Sequence, residues 1–128
     1  MEVIFLEVED VLRIHQDQIE RYGGGAELRD AGLLSSAVES PRVTFGGQSL
    51  HADLFEMAAA YLFHIVQNHP FVDGNKRTGT AAALVFLDLN GIEVDVDDDA
   101  LADHVLDVAQ GRTSKPMIAA FLREHANR

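Results

Sequence analysis

Two stretches of this chain, MAAAYLFHIV at 57–66 and TGTAAALVFL at 78–87, would place apolar or small residues on nearly every face of a helix. Such a helix persists in water only when other elements enclose it. A chain of 128 residues has room for one core. Both helices must therefore sit at its centre, with everything else packed round them. The expectation is a mostly α fold, a single domain over 1–128. It is a bundle of about six helices with a short β-pair.

The outer elements follow from periodicity and punctuation. Val8, Leu12, His15, Ile19 and Tyr22 form a helical stripe over 8–22, and Gly23, Gly24 and Gly25 end it. A second helix is expected over 28–39, stopped by Pro41. Residues 42–50, with two glycines, read as a loop. The first central helix spans 53–67. The second starts near Asn75 or Lys76 and stops at Asn90 and Gly91. Asp97 caps a helix over 98–110 that turns Leu101, Val105 and Val108 inward. Ser114 caps a last helix with Pro116 in its first turn and Ile118, Phe121 and Leu122 facing in. Residues 2–6 and 92–96 have strand character and are expected to pair with each other.

Composition removes several function classes. Without cysteine there is neither a disulfide nor a thiolate metal site. No apolar run reaches the roughly 18 residues of a membrane span. The N-terminal MEVIFLEVED lacks a signal pattern, and a cytoplasmic location is expected. The net charge of −11 repels phosphate backbones, so direct nucleic-acid binding is not expected. The acids crowded at 93–103 read as a solvated face.

Against that charge, the junction of the two central helices stands out: NHPFVDGNKRTG at 68–79. Pro70 disfavours helical geometry at His69 and ends one helix. Gly74 permits a tight turn. The first N–H groups of the next helix lack intrahelical partners and point outward with the positive end of its dipole. Lys76 and Arg77 lie in that first turn, where cations oppose the dipole. An anionic ligand removes the conflict, and a glycine turn into a helix start can cradle a phosphate. Arg77 can grip phosphate oxygens with its fork and Lys76 can act as a point charge. Asp73 is a hard oxygen donor suited to Mg²⁺. Asn75 can cap the helix or bond a phosphate. His69 can take a proton from a hydroxyl near neutral pH, and Phe71 anchors the loop in the core. These residues fit phosphoryl or nucleotidyl transfer. A plain helix–turn–helix with a satisfied histidine and a solvated Lys-Arg pair accounts for them equally.

HPFVDGNKRTG resembles the signature of Fic-fold proteins, and Lys76 makes it similar to the Doc branch, the toxin half of Phd–Doc modules. IHQDQIERYGG, LRDAGLLSSAVESP, DLFEMAAAYLFHIVQNHPF and AAALVFLDLNG extend the likeness in order along nearly the whole chain. The resemblance implies the mostly helical fold already read. In adenylyl-transferring Fic enzymes position 76 would be glycine and position 80 arginine. Here they are Lys76 and Thr80, which implies that the γ-phosphate of ATP faces the attacking hydroxyl. The implied activity is a Ser/Thr protein kinase using ATP and Mg²⁺. Its implied target is elongation factor Tu, whose phosphorylation arrests translation. By resemblance His69 is the base and Asp73 the metal ligand. Gly74, Asn75, Lys76 and Arg77 hold phosphates, and Arg29 and Asp30 border the site. A Phd-type antitoxin is the implied partner. Adenylyl transfer and a non-catalytic, antitoxin-binding co-repressor are the alternatives.

The other histidines carry no metal spacing. His15 and His64 read as hydrogen-bonded core residues, and His51, His104 and His125 as surface or packing residues. GGG at 23–25 is a helix stop or a loop touching substrate. GGQS at 46–49 is either a flap that aligns a target peptide or a surface loop.

Overall fold

The computed structural model describes residues 2–45, 47–49 and 51–127. Gly46 and Leu50, and with them part of the GGQS stretch, lie outside the described residues. The helices are α1 (Val8–Tyr22), α2 (Ala31–Glu39), α3 (Leu54–Asn68), α4 (Asn75–Leu89), α5 (Asp98–Ala109) and α6 (Lys115–Glu124). Two-residue strands β1 (Thr44–Phe45) and β2 (Gln48–Ser49) form one antiparallel pair. β3 (Glu93–Val94) and β4 (Ala126–Asn127) form another.

α3 and α4 occupy the centre, as their all-round apolarity requires. Ala58, Ala59, Ala60, Tyr61 and Ile65 of α3 are fully buried, as are Ala82, Ala83, Phe86 and Leu87 of α4. Small residues let the two axes approach. A methyl group on Gly79 would lie 2.9 Å from Val66 Cγ2 and 3.3 Å from the Leu62 carbonyl. α6 and α2 pack on the outer sides of α3, and α1 packs against α4. Asp30, Asp53 and Asp97 cap α2, α3 and α5 by accepting from Leu33, Glu56 and Ala100 N–H. Ser114 stands at the cap position of α6 without a side-chain hydrogen bond.

The structure differs from the sequence expectation in four places. Residues 2–6 form no strand. The Asn90 amide takes both backbone groups of Ile4, at 2.9 Å each, and the Tyr61 hydroxyl accepts Leu6 N–H at 2.9 Å. With those groups engaged, β3 pairs with β4, in register Glu93 to Asn127 and Val94 to Ala126. The buried face of α1 is also rotated. Val11 and His15 are buried, whereas Leu12 and Tyr22 are exposed. α2 begins at Ala31 rather than residue 28, because residues 27–30 run beside 70–72 instead. Pro41 does not end the helical run abruptly. It sits in a 3-10 turn, Ser40–Arg42, and β1 and β2 occupy much of the expected loop.

His15 is a satisfied core histidine, as expected; His64 is hydrogen-bonded but only half-buried, its Nε2 accepting from the Lys115 ammonium at 3.2 Å. Burial, then the Lys115 cation, then His51 push the His64 pKa down to about 4. Burial also lowers His51 and His104. A folded pKa below the unfolded one means stability that is complete above about pH 6.5 and is lost as pH falls towards 4. Thermal unfolding between pH 7 and 4 should show this loss, with His64 contributing a share of it that solvent screening of its half-exposed ring reduces. His64→Leu should remove that share of the slope. An unchanged slope would refute the assignment.

Candidate active site

Residues 69–74 turn the chain from α3 into α4, and they are held by the 27–30 segment, by α1 and by the start of α4. His69 ends α3 in the left-handed region, at φ 53° and ψ 54°. That conformation costs a non-glycine residue about 1–2 kcal/mol. It is sustained from behind by Arg29. The guanidinium donates to the His69 carbonyl at 2.6 Å and to the Asn68 carbonyl at 2.9 Å. The Pro70 carbonyl accepts the N–H groups of Arg29 and Asp30 at 2.7 and 2.9 Å. Leu28 bridges Phe71 in antiparallel fashion, and Val72 N–H donates to the Glu27 carbonyl at 3.0 Å. Phe71 is buried, as expected. The imidazole of His69 is left exposed.

Asp73 follows on the exposed side of the turn. One carboxylate oxygen accepts Gly74 N–H at 2.9 Å and the other accepts Gly25 N–H at 3.4 Å. The 23–25 glycines are therefore more than a helix stop. A methyl group on Gly24, where φ is +113°, would lie 2.6 Å from Asp73 Oδ2. Only glycine admits that approach without displacement. Gly74, at φ 79°, starts α4.

The first turn of α4 is unusual for its charge and its lack of caps. No side chain caps it. The first intrahelical bond runs from Thr78 N–H to the Gly74 carbonyl at 2.9 Å. The N–H groups of Asn75, Lys76 and Arg77 precede it and meet no acceptor among the described residues. The Asn75 side chain is buried and closes the turn. It accepts Phe71 N–H at 3.0 Å and donates to the Phe71 carbonyl at 2.9 Å. Its amide thus acts on the loop. Thr80 donates back to the Lys76 carbonyl at 2.8 Å.

Charge pairing singles out the same place. Five arginines, Arg13, Arg21, Arg42, Arg112 and Arg123, pair with carboxylates. Among the described residues Arg29, Lys76, Arg77 and Lys115 do not. Three of those four belong to this turn or brace it. In a chain of net charge −11, acids for pairing are plentiful, so unmatched cations at a positive helix end concentrate positive charge at this one place.

His69, Asp73, Gly74, Asn75 and Lys76 line one cavity of about 250 Å³ together with Val66, Val72 and Ala109. Arg77 does not line it. Its guanidinium donates to the Gly23 carbonyl at 3.1 Å and lies 5.4 Å from the Tyr22 ring centre. Arg29 and Asp30 stand behind the turn, one bracing α3 and the other capping α2. Sequence reasoning put Tyr22 on the apolar stripe of its helix and read Gly24 as part of a helix stop or substrate-touching loop, not as neighbours of Arg77 and Asp73. Their long-range contacts leave no periodic signal. The glycine run itself was the available clue.

Gly24→Ala should shift the Asp73 carboxylate, visible in a crystal structure of the variant. Gly23→Ala, where an added methyl meets nothing within 4 Å, should leave it in place. Both should lose about 1 kcal/mol of stability from the positive φ. A carboxylate unmoved in Gly24→Ala would show that contact is not why glycine stands there.

The Fic/DOC family model matches residues 5–87. "Toxin Doc" of Mycolicibacterium smegmatis is 40% identical over 120 residues, covering 92% of this chain and 90% of that protein. "Protein kinase doc" of Escherichia phage P1 is 35% identical over 115 residues, covering 90% of each. With the family model across more than half its length and two such relatives nearly end to end, this chain belongs to the Fic/Doc family.

Proposed function

We propose that this protein is the toxin of a Phd–Doc type module and acts as a kinase. It transfers the γ-phosphoryl of ATP to a Ser or Thr hydroxyl of a translation factor, elongation factor Tu being the target the resemblance implies. The observation that carries this reading is the uncapped first turn of α4. Its three unengaged N–H groups and two unpaired cations adjoin a carboxylate and an exposed imidazole. The kinase-like relative from phage P1 supports the same chemistry. Among the described residues no helix is long and apolar enough to cross a membrane.

The residues divide the task. The N–H groups of Asn75, Lys76 and Arg77 and the two cations hold phosphate oxygens. Leaving Gly23 for a phosphate would let Arg77 use its fork. Asp73 would hold Mg²⁺, whose exposed, backbone-oriented carboxylate suits a hard cation; when bound, the ion neutralises charge on phosphate oxygens. His69 takes the proton of the attacking hydroxyl. The hydroxyl oxygen forms a bond to the γ-phosphorus as the bond to the β–γ bridging oxygen breaks, and ADP leaves with that electron pair. Positioning and electrostatics supply most of the acceleration. Lys76 and Thr80 favour this reading over adenylyl transfer. Lysine fills the space glycine would leave, and the Thr80 hydroxyl is bound to its own helix and offers no second guanidinium. A Phd-type antitoxin is the proposed partner.

Incubation with γ-labelled ATP, Mg²⁺ and elongation factor Tu should label the factor, whereas α-labelled ATP should not. Label from the α position would establish adenylyl transfer instead. His69→Ala should slow labelling roughly 10²–10⁴-fold and relieve growth arrest in a bacterial host. Undiminished toxicity would place the effect outside this site.

Binding can be read separately. ATP with Mg²⁺ at a hundredfold excess over Kd should stabilise the protein by about 2.7 kcal/mol, measurable as a rise in Tm. Arg77→Lys should reduce that rise, because a point charge does not replace a fork. No rise in the unmodified protein would count against a nucleotide site.

A further inference from the structure

We infer that His15, on α1 and outside the 68–79 stretch, is a positioning residue for the Asp73 carboxylate. The inference rests on the proposed reading of Asp73 as the metal-holding group. His15 is 3% exposed. Its ring lies parallel to that of Phe71, with centroids 3.7 Å apart and 4° between planes. Its Nε2 is 2.8 Å from the Asp73 carbonyl oxygen. A carbonyl only accepts, so Nε2 carries the proton and donates.

The consequence follows from the planarity of one peptide. The Asp73 carbonyl and the Gly74 N–H belong to the same rigid unit. His15 holds its oxygen, and the carboxylate of Asp73 holds its N–H at 2.9 Å. Rotation of this peptide would release both bonds together. Fixing the oxygen therefore fixes the N–H direction, and with it one oxygen of the carboxylate. Gly25 N–H steadies the other oxygen at 3.4 Å. A methyl group on Gly74 would crowd Ile19 Cδ1 at 3.2 Å and reach the His15 ring at 3.6 Å, an ordinary contact distance. Packing against Phe71 needs only a flat ring, and phenylalanine would supply that. The donor at Nε2 is what histidine adds.

Two substitutions separate the ring from the donor. His15→Phe keeps the stack and removes the N–H. His15→Gln places an amide N–H near the position of Nε2 without the ring. In nucleotide-free protein, the amide proton resonance of Gly74 reports its bond to the carboxylate. His15→Phe should move it towards the value of an unbonded amide, and His15→Gln should leave it near the original. The Mg²⁺ concentration at half-saturation of ATP binding should rise about tenfold in His15→Phe and change little in His15→Gln. A Gly74 resonance unmoved in His15→Phe, or lost in His15→Gln, overturns the inference. If Phe is not accepted at position 15, His15→Leu gives the same comparison without a donor. If the unmodified protein binds no ATP, the proposed function fails while the Gly74 resonance still decides the part His15 plays.

Discussion

Two helices that are apolar all round can be joined inside a protein only if the connection leaves few backbone groups without partners. Residues 69–74 meet that condition with groups from three parts of the chain, the 27–30 segment, α1 and α4. Arg29 takes the carbonyls of Asn68 and His69, and the N–H groups of Arg29 and Asp30 take that of Pro70. Asn75 takes both groups of Phe71. Glu27 accepts Val72 N–H, His15 donates to Asp73 and Thr78 donates to Gly74. The functional candidates are thus the surface of a structural necessity. The turn must be rigid for α3 and α4 to stay buried, and that rigidity holds His69 and Asp73 in place.

The same condition explains which parts were legible in the amino-acid sequence. α3, α4 and the turn between them followed from apolarity, Pro70 and Gly74, all local signals. Asp97 was readable as a cap because capping spans three residues, and Asp53, read as the start of its helix, caps α3 in the same way. Non-local choices were not readable. Residues 2–6 have strand character, but Asn90 and Tyr61, far along the chain, engage their backbone. Residues 28–30 would suit a helix start, but the motif turn needs their N–H groups. The stripe expected on α1 ran through Leu12 and Tyr22, but contact with Phe71 and Asp73 turns His15 inward together with Val11.

At the site, residue types were legible and the division of labour was not. Asn75 was open to capping or phosphate binding; its amide proved to be the latch on Phe71. Arg29 was expected to border the site, and its guanidinium braces the C-terminal carbonyls of α3. Arg77 was expected at the phosphates and rests against Gly23 and Tyr22. Each is a polar group whose partner in the folded protein is a backbone carbonyl or N–H, and backbone partners leave no mark in residue identity.

The charge at the head of α4 remains the feature that stability alone does not explain. Three other helices carry an aspartate at their start, the arrangement that satisfies the N–H groups and complements the dipole. α4 instead has glycine, then asparagine, lysine and arginine. A left-handed histidine stands on the other side of the turn. Each departure lowers the stability of the isolated fold by a modest amount, and all fall within nine residues. Such clustering is expected where a ligand supplies the missing interactions. A polyanion bridging the N–H groups and both cations would relieve the conflict in one step. By linkage, its binding would then strengthen the turn that joins the two central helices.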